Sequence, residues 1–420
     1  MKNIGFLFAA LIAILPLKAQ EVYRTQVFNN KIHTLQVKVA DEMLSSPYIH
    51  LNGDQQIEIN FDLLDPDFHR FTYSVVHCDA NWQPSALIPF EYMDGFQGLP
   101  IEDFANGMGT TVDYTNYRLF LPNEEVRFKV SGNYAVRIFD EDNPQNEVLT
   151  ACFYVFENAV QLAAEVTSNT LIDTNLTHQQ LNFNINTSRF PIPYPQTDLK
   201  VYVYQNNRRD NAVSALMPSG ISNNRVDYVN LKDLIFEAGN EFRRFEFLSP
   251  TYNGLRVEDI SFHHPYYHVT IMADEARANY VYQYDQDQNG HYLVNCRNCT
   301  EPDTQADYYM VHFALNYPVQ FDGSIYLSGD LTNNLPNERS RMLYNPQTGF
   351  YEKNIFLKQG HYNYQYLFQQ KGESKATVLP IEGSYYPTEN EYRIHVYYRP
   401  MGERYDRLIG MGKVKSDQLL

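Results

Sequence analysis

Four stretches of the chain carry residue types that could do chemistry. His77-Cys78-Asp79 sets a thiol between an imidazole and a carboxylate, the groups from which a nucleophile, its base and an orienting acid are built. Such groups must converge on one reacting atom. The residues enter on a run of period-two alternation, where successive side chains point to opposite faces, so Tyr73, Val75 and His77 share one face and Ser74, Val76 and Cys78 the other. That geometry predicts a structural role. Cys296 and Cys299 form a C-x-x-C, but they follow an Asp/Gln/Asn/Gly-rich run and precede Thr300-Glu301-Pro302-Asp303. The helix N-terminus that would lower a thiol pKa is missing, which leaves a local disulfide or two inert thiols. Cys78 and Cys152 are the second candidate pair, and their spacing alone does not decide whether they join. His263, His264 and His268 cluster in FHHPYYHV with no carboxylate to complete a facial triad. Asp285 to Gly290 has the alternating oxygens of a calcium loop, but Cys296 stands where the closing glutamate is required, which predicts a solvated turn. No glycine loop for phosphate and no nucleophile elbow occurs. The expectation is a protein with no catalytic residues, no cofactor and no metal.

The elements that would position such residues begin after an export signal. Lys2, an apolar run from Ile4 to Leu15, Pro16 and Ala19 form the pattern of a secretory signal peptide over residues 1–19. No cysteine follows the cleavage point, and no later segment has the length of a membrane helix. The formal charge is −17, and loss of Lys2 and Lys18 would make it −19. Such a balance repels phosphate backbones and anionic lipid, so nucleic acid and direct membrane insertion are not expected. Four cysteines in 420 residues do not make a disulfide scaffold.

Period-two alternation dominates the rest. Gln56 to Leu63 and Leu181 to Asn186 alternate without a fault, which predicts strands with one face on a core and the other in water. Many short strands between Asn, Asp, Gly and Pro turns make an all-β chain of tandem antiparallel sandwiches, immunoglobulin-like or early-set-like. At about 150 residues per domain, two or three modules are expected. Glu157 to Val160 and the polar stretch Cys296 to Asp307 divide the chain into 20–157, 158–303 and 304–400, followed by a tail at 401–420. Gly132-Asn133-Tyr134 and Gly360-His361-Tyr362 echo each other, each opening a strand as a tyrosine corner would.

Two resemblances follow from motifs. HCDANWQPSALIPFEYMDGFQG resembles the first domain of the type IX secretion plug proteins, in which His77, Cys78, Asp79, Trp82, Pro84, Ser85, Tyr92, Asp94, Gly95 and Phe96 keep their order and Ser131-Gly132-Asn133-Tyr134 follows. The resemblance implies a periplasmic protein that binds an outer-membrane β-barrel translocon and closes it when no cargo is present. The irregular run from Pro84 to Thr115 then either covers one end of the first sandwich or meets the barrel, with Phe90, Tyr92 and Phe96 as the candidate contacts. Gly323 to Leu331 and Gly360 to Tyr366 resemble early-set sandwiches related to glycogen-binding modules, which makes a secreted carbohydrate-binding protein the alternative. Here Leu335 follows Asn334 where that pattern has a tryptophan. Lys413-Val414-Lys415 near the end is the weaker hint of a third reading, a cargo protein of the same secretion system.

Overall fold

The computed structural model describes residues 22–416, so the signal sequence lies outside the described residues. The described chain is almost entirely strand, and none of its helices is long and apolar enough to cross a membrane. The first sandwich pairs Phe71–Cys78 along Gly132–Asp140, the central strand of one sheet. Its order is Gln26–Val27, Asn143–Phe156, Gly132–Asp140, Phe71–Cys78, Leu99–Pro100, with Tyr48–His50 running parallel to Asn143–Phe156. The facing sheet runs Ile32–Val39, Ile57–Leu63, Thr115–Leu121, Asp103–Asn106. Phe61, Phe71, Tyr73, Val75, Val136 and Phe153 fill the space between them. Side chains of alternate residues meet there because the pleat sends every second one inward.

The other two sandwiches are nested rather than consecutive. In the middle one, a sheet built on His178–Asn186 faces a sheet of Leu199–Gln205, Glu391–Tyr398 and Arg407–Lys415. Leu181, Phe183, Ile185, Val203, Ile394 and Val396 form the shared core. The third sandwich lies in the sequence between these pieces. Gly360–Gln370 pairs with Arg243–Phe247, Tyr292–Val294 and Gly323–Ser328. The opposing sheet is built around Tyr308–Asn316 and Phe350–Lys358.

The boundaries at 303 and 400 read from composition therefore cut through sheets. Cys296 to Asp307 is an internal connection of the third sandwich that carries the short helix Pro302–Gln305. Its polarity is that of any surface loop, and composition does not distinguish a loop from a linker. The stretch expected as a tail carries the strand Arg407–Lys415, whose Lys413 and Lys415 pair with Glu391 and Glu389.

The two tyrosine corners are real and alike. The Tyr134 hydroxyl donates to the Val130 carbonyl at 2.7 Å, and the Tyr362 hydroxyl to the Lys358 carbonyl, each four residues upstream. Gly132, at φ +146°, is required because a Cβ there would stand 2.3 Å from the His77 ring.

Candidate functional site

The stretch His77 to Ser85 is a tight hairpin at the end of Phe71–Cys78. The Asp79 N–H donates to the Gln83 carbonyl at 2.9 Å, Trp82 N–H to the Asp79 carbonyl at 2.8 Å, and Ser85 N–H to the His77 carbonyl at 2.9 Å. Pro84 lies opposite Cys78 as the chain returns. Trp82 takes a left-handed φ of +66°, a conformation that costs a bulky residue about 1–3 kcal/mol and must be held by its surroundings.

The three candidate catalytic residues separate. His77 is buried, with Ser85 Oγ 2.8 Å from Nδ1 and the Ser131 carbonyl 3.2 Å from Nε2. Nε2 must carry the proton to bond a carbonyl, which leaves Nδ1 to accept from the serine hydroxyl. Burial pushes the imidazole down to about 4. Asp79 lies elsewhere: its carboxylate accepts from Arg399 at 3.0 Å, and burial and the neighbouring Asp406 raise its pKa. A histidine without its carboxylate, under a closed surface, is a core polar group and not a base.

What the hairpin does build is a joint. Cys78, Ala80, Trp82, Cys152 and Tyr154 of the first sandwich form one cluster with Tyr397 and Leu408 of the middle one. Arg209 of the middle sandwich lies 3.9 Å above the Trp82 ring. The Asn133 side chain donates to the Asp79 carbonyl at 3.1 Å and accepts from the Tyr397 hydroxyl at 2.7 Å. The buried Asp406 accepts from Ala80 N–H at 3.0 Å and pairs with Lys200 at 2.7 Å. Ser131 Oγ donates to Glu157, which also binds Arg407.

A second joint lies across the facing sheet. All seven residues of Ile57–Leu63 are buried, including the polar Glu58, Asn60 and Asp62 expected in water. The third sandwich covers that face. Lys358 Nζ bonds Asp62 at 2.7 Å with both side chains enclosed, and the Tyr308 hydroxyl and Asn116 amide also donate to Asp62. Thr111 and Val112 donate to the Asp307 carboxylate, and the Tyr114 hydroxyl to the Ala306 carbonyl at 2.9 Å.

The sandwich carrying this hairpin has recognised relatives. Residues 32–157 match the family model described as type 9 secretion system plug protein 1st domain. Over nearly its whole length the chain is similar to a hypothetical protein from Parabacteroides merdae ATCC 43184 of known crystal structure. The two are 57% identical over 94% of this chain and 100% of the other, with a TM-score of 0.94. The chain belongs to that protein's family. No curated protein matches it.

Within this family member, the loop after Pro84 divides in two. Tyr92 is not a surface contact: it is buried, with its hydroxyl donating to the Val75 carbonyl at 2.8 Å. It lies in the short helix Pro89–Tyr92, and the turn sends its ring inward while Phe90 points out. Gln97 completes the sheet edge, its amide accepting from Val75 N–H and donating to Val75 C=O. Gly95 has φ +129°, and a Cβ there would meet the Glu125 carbonyl at 2.1 Å. The exposed Asp94 pairs with Lys129 at 3.3 Å. Phe90 and Phe96 remain 69% and 76% exposed on the surface.

The remaining candidates resolve by the same accounting. Cys296 and Cys299 form a disulfide. Cys78 and Cys152 do not pair with each other, because they lie on the two strands that flank Gly132–Asp140. That puts them two strand spacings apart, about 9–10 Å, beyond the reach of a disulfide. His268 bonds His312 at 2.8 Å, and no group of three or more metal-ligating side chains occurs among the described residues. Asp287 accepts from the Phe242 and Asn289 N–H groups, and Asp285 binds Arg244, so the acidic turn ties strands together. Leu335 lines a cleft between sandwiches where a sugar platform would need a flat aromatic face.

Sequence reading missed Arg209, Arg399, Asp406, Tyr397 and Lys358, the partners of the motif and of Asp62. Each is a single charged or aromatic residue in a remote stretch. The one available signal was the density of charge inside an apolar strand such as Glu391–Tyr398.

Proposed function

We propose that the protein is a non-enzymatic plug that binds and seals the periplasmic entrance of the type IX secretion outer-membrane translocon when no cargo is present. The observation that carries this reading is the match of residues 32–157 to the plug 1st domain. The chemistry of the motif supports it, since Asp79 and Trp82 are committed to holding sandwiches together, His77 is bonded inside the first one, and none is presented to a substrate. A blocking role requires a body that resists deformation. Two buried joints tie the first sandwich to both others, which gives it that rigidity. Phe90 and Phe96 are the exposed aromatics of the motif loop and the proposed barrel contact, since exposed aromatics are the residue type enriched in interfaces.

Pull-down of the tagged chain from native outer membranes tests the proposal. Recovery of a very large barrel protein is expected, and its absence overturns the plug reading. The Phe90→Ser, Phe96→Ser double variant should lose that recovery while keeping its melting temperature. Unchanged recovery would move the contact to another face. Tyr92 is left intact because its loss would damage the core.

A further inference from the structure

The three sandwiches enclose a groove that the plug reading does not use and that borders the Trp82 joint at Arg209 and Cys152. It consists of two adjoining cavities of about 170 and 320 Å³ that share Leu35, Tyr292, Asp330, Asn333 and Leu335. Its floor is Ile32–Val39, the terminal strand of its sheet, which pairs on one side only with Ile57–Leu63. A bulge at Thr34 and Leu35 interrupts the pairing, and regular register resumes at Gln36.

The direction of the backbone groups follows from one bond. Val39 N–H points away from the paired strand, because it donates to Ser45 Oγ at 2.9 Å. Residues two apart in an antiparallel strand point the same way, so Val37 N–H and C=O also face the groove. No described residue takes them. A free edge of this kind is a template for another strand.

The charge of the groove is opposite to that of the protein. Arg24, Lys38 and Arg209 line one cavity, and Arg339 and Lys353 the other. The one carboxylate in the lining, Asp330, is bonded to His291 at 2.5 Å. Lys38 has Glu58 at 3.2 Å, while Arg24, Arg209 and Arg339 have no carboxylate at ion-pair distance among the described residues. The whole chain has a formal charge of −17. Cations collected in a concave, partly dry space focus a positive potential and attract an acidic ligand.

We infer that this groove binds an extended acidic peptide segment, which adds to the free edge at Val37 and places its carboxylates against Arg24, Arg209, Arg339 and Lys353. Backbone pairing supplies affinity with little side-chain specificity, and the flanking charges select acidic sequences. The inference does not depend on the plug reading.

Fluorescence anisotropy of the purified chain tests it. The probe is a fluorescein-labelled twelve-residue peptide of repeating Glu-Val-Glu-Thr, and its comparator has Lys in place of Glu. The acidic peptide should bind and the basic one should not, with affinity falling as salt rises. Two variants separate the contributions: Val37→Pro removes the N–H facing the groove, and the Arg339→Glu, Lys353→Glu pair reverses the exposed charge. Each should weaken binding by about tenfold or more, equivalent to loss of one charged or backbone contact. Absence of binding by the acidic peptide overturns the proposal, as does equal binding to wild type and the charge-reversed pair. Free glutamate that competes as well as the peptide would overturn strand addition. Should Val37→Pro fail to fold, the charge-reversed pair decides, because both its side chains reach solvent.

Discussion

Where the first sandwich meets the middle one, every ion pair keeps at least one partner in contact with water; where it meets the third, one ion pair sits in a dry centre. At the middle joint Arg399 and Asp79 keep 30% and 20% of their side-chain surface, and Trp82 lies under the Arg209 guanidinium. At the third joint Lys358 and Asp62 keep 1% and 0%. Water can take over either Arg399 or Asp79, and neither Lys358 nor Asp62. The two joints should therefore fail differently. Loss of a rim contact removes one favourable interaction, whereas loss of one central ion leaves the other charged and unsolvated.

The largest effect is expected from Lys358→Ala. Burial already raises the pKa of Asp62, opposed by the lysine, so removal of Nζ leaves that carboxyl without its counter-ion. A loss of about 3–5 kcal/mol is expected by urea unfolding at pH 7. Lys358→Met combined with Asp62→Asn should recover most of it, because the double change leaves no buried charge. A single variant with a loss under about 1 kcal/mol, the level of a surface pair, would erase the distinction between the joints.

The second test acts beneath the middle joint, at His77. Its imidazole is held down to about 4 by burial, below the ordinary 6.5. As pH falls from 6.5 towards 4, the unfolded chain takes up a proton that the native ring refuses. This contribution to stability is complete above pH 6.5 and is lost as pH falls through that window, up to about 3 kcal/mol in all. The difference in urea midpoint between wild type and His77→Gln should narrow from pH 7 to pH 4.5. A difference independent of pH would mean that the native ring protonates freely.

How much of this was legible depended on which face a residue turned to which neighbour. Period-two alternation gives strands, and enough strands give sandwiches, so the all-β class followed from runs such as Gln56 to Leu63. Alternation separates two faces without saying what covers the second. Asp62 read as solvent-facing for that reason, and its partner Lys358 is 296 positions away. The nesting of the third sandwich was hidden for a related reason: Glu391–Tyr398 looks like any other strand until it pairs with Leu199–Gln205. Geometry within a few residues was readable, as with the divergence of His77 from Cys78 and the corner tyrosines. Tyr92 and Phe90, two positions apart, were not separable, because one short helix decides which ring turns inward.

The smallest effect concerns the rim, and the protein carries its own probe for it. Trp82 is the only tryptophan in the sequence and stands at the middle joint. Arg209→Met keeps an unbranched stem over the indole and removes the guanidinium, which stacks at 3.9 Å and donates to the Tyr23 carbonyl at 2.9 Å. A cation–π contact of this kind contributes about 1–2 kcal/mol. If the joint is the weaker link, tryptophan emission should shift at a lower urea concentration than far-ultraviolet dichroism in the variant, while the two coincide in wild type. Sandwiches that separate before they melt would give that gap. Coincident transitions in the variant would mean that the buried ion pair on the opposite face holds the first sandwich in place after the rim has been weakened, and that the two joints act as one cooperative unit.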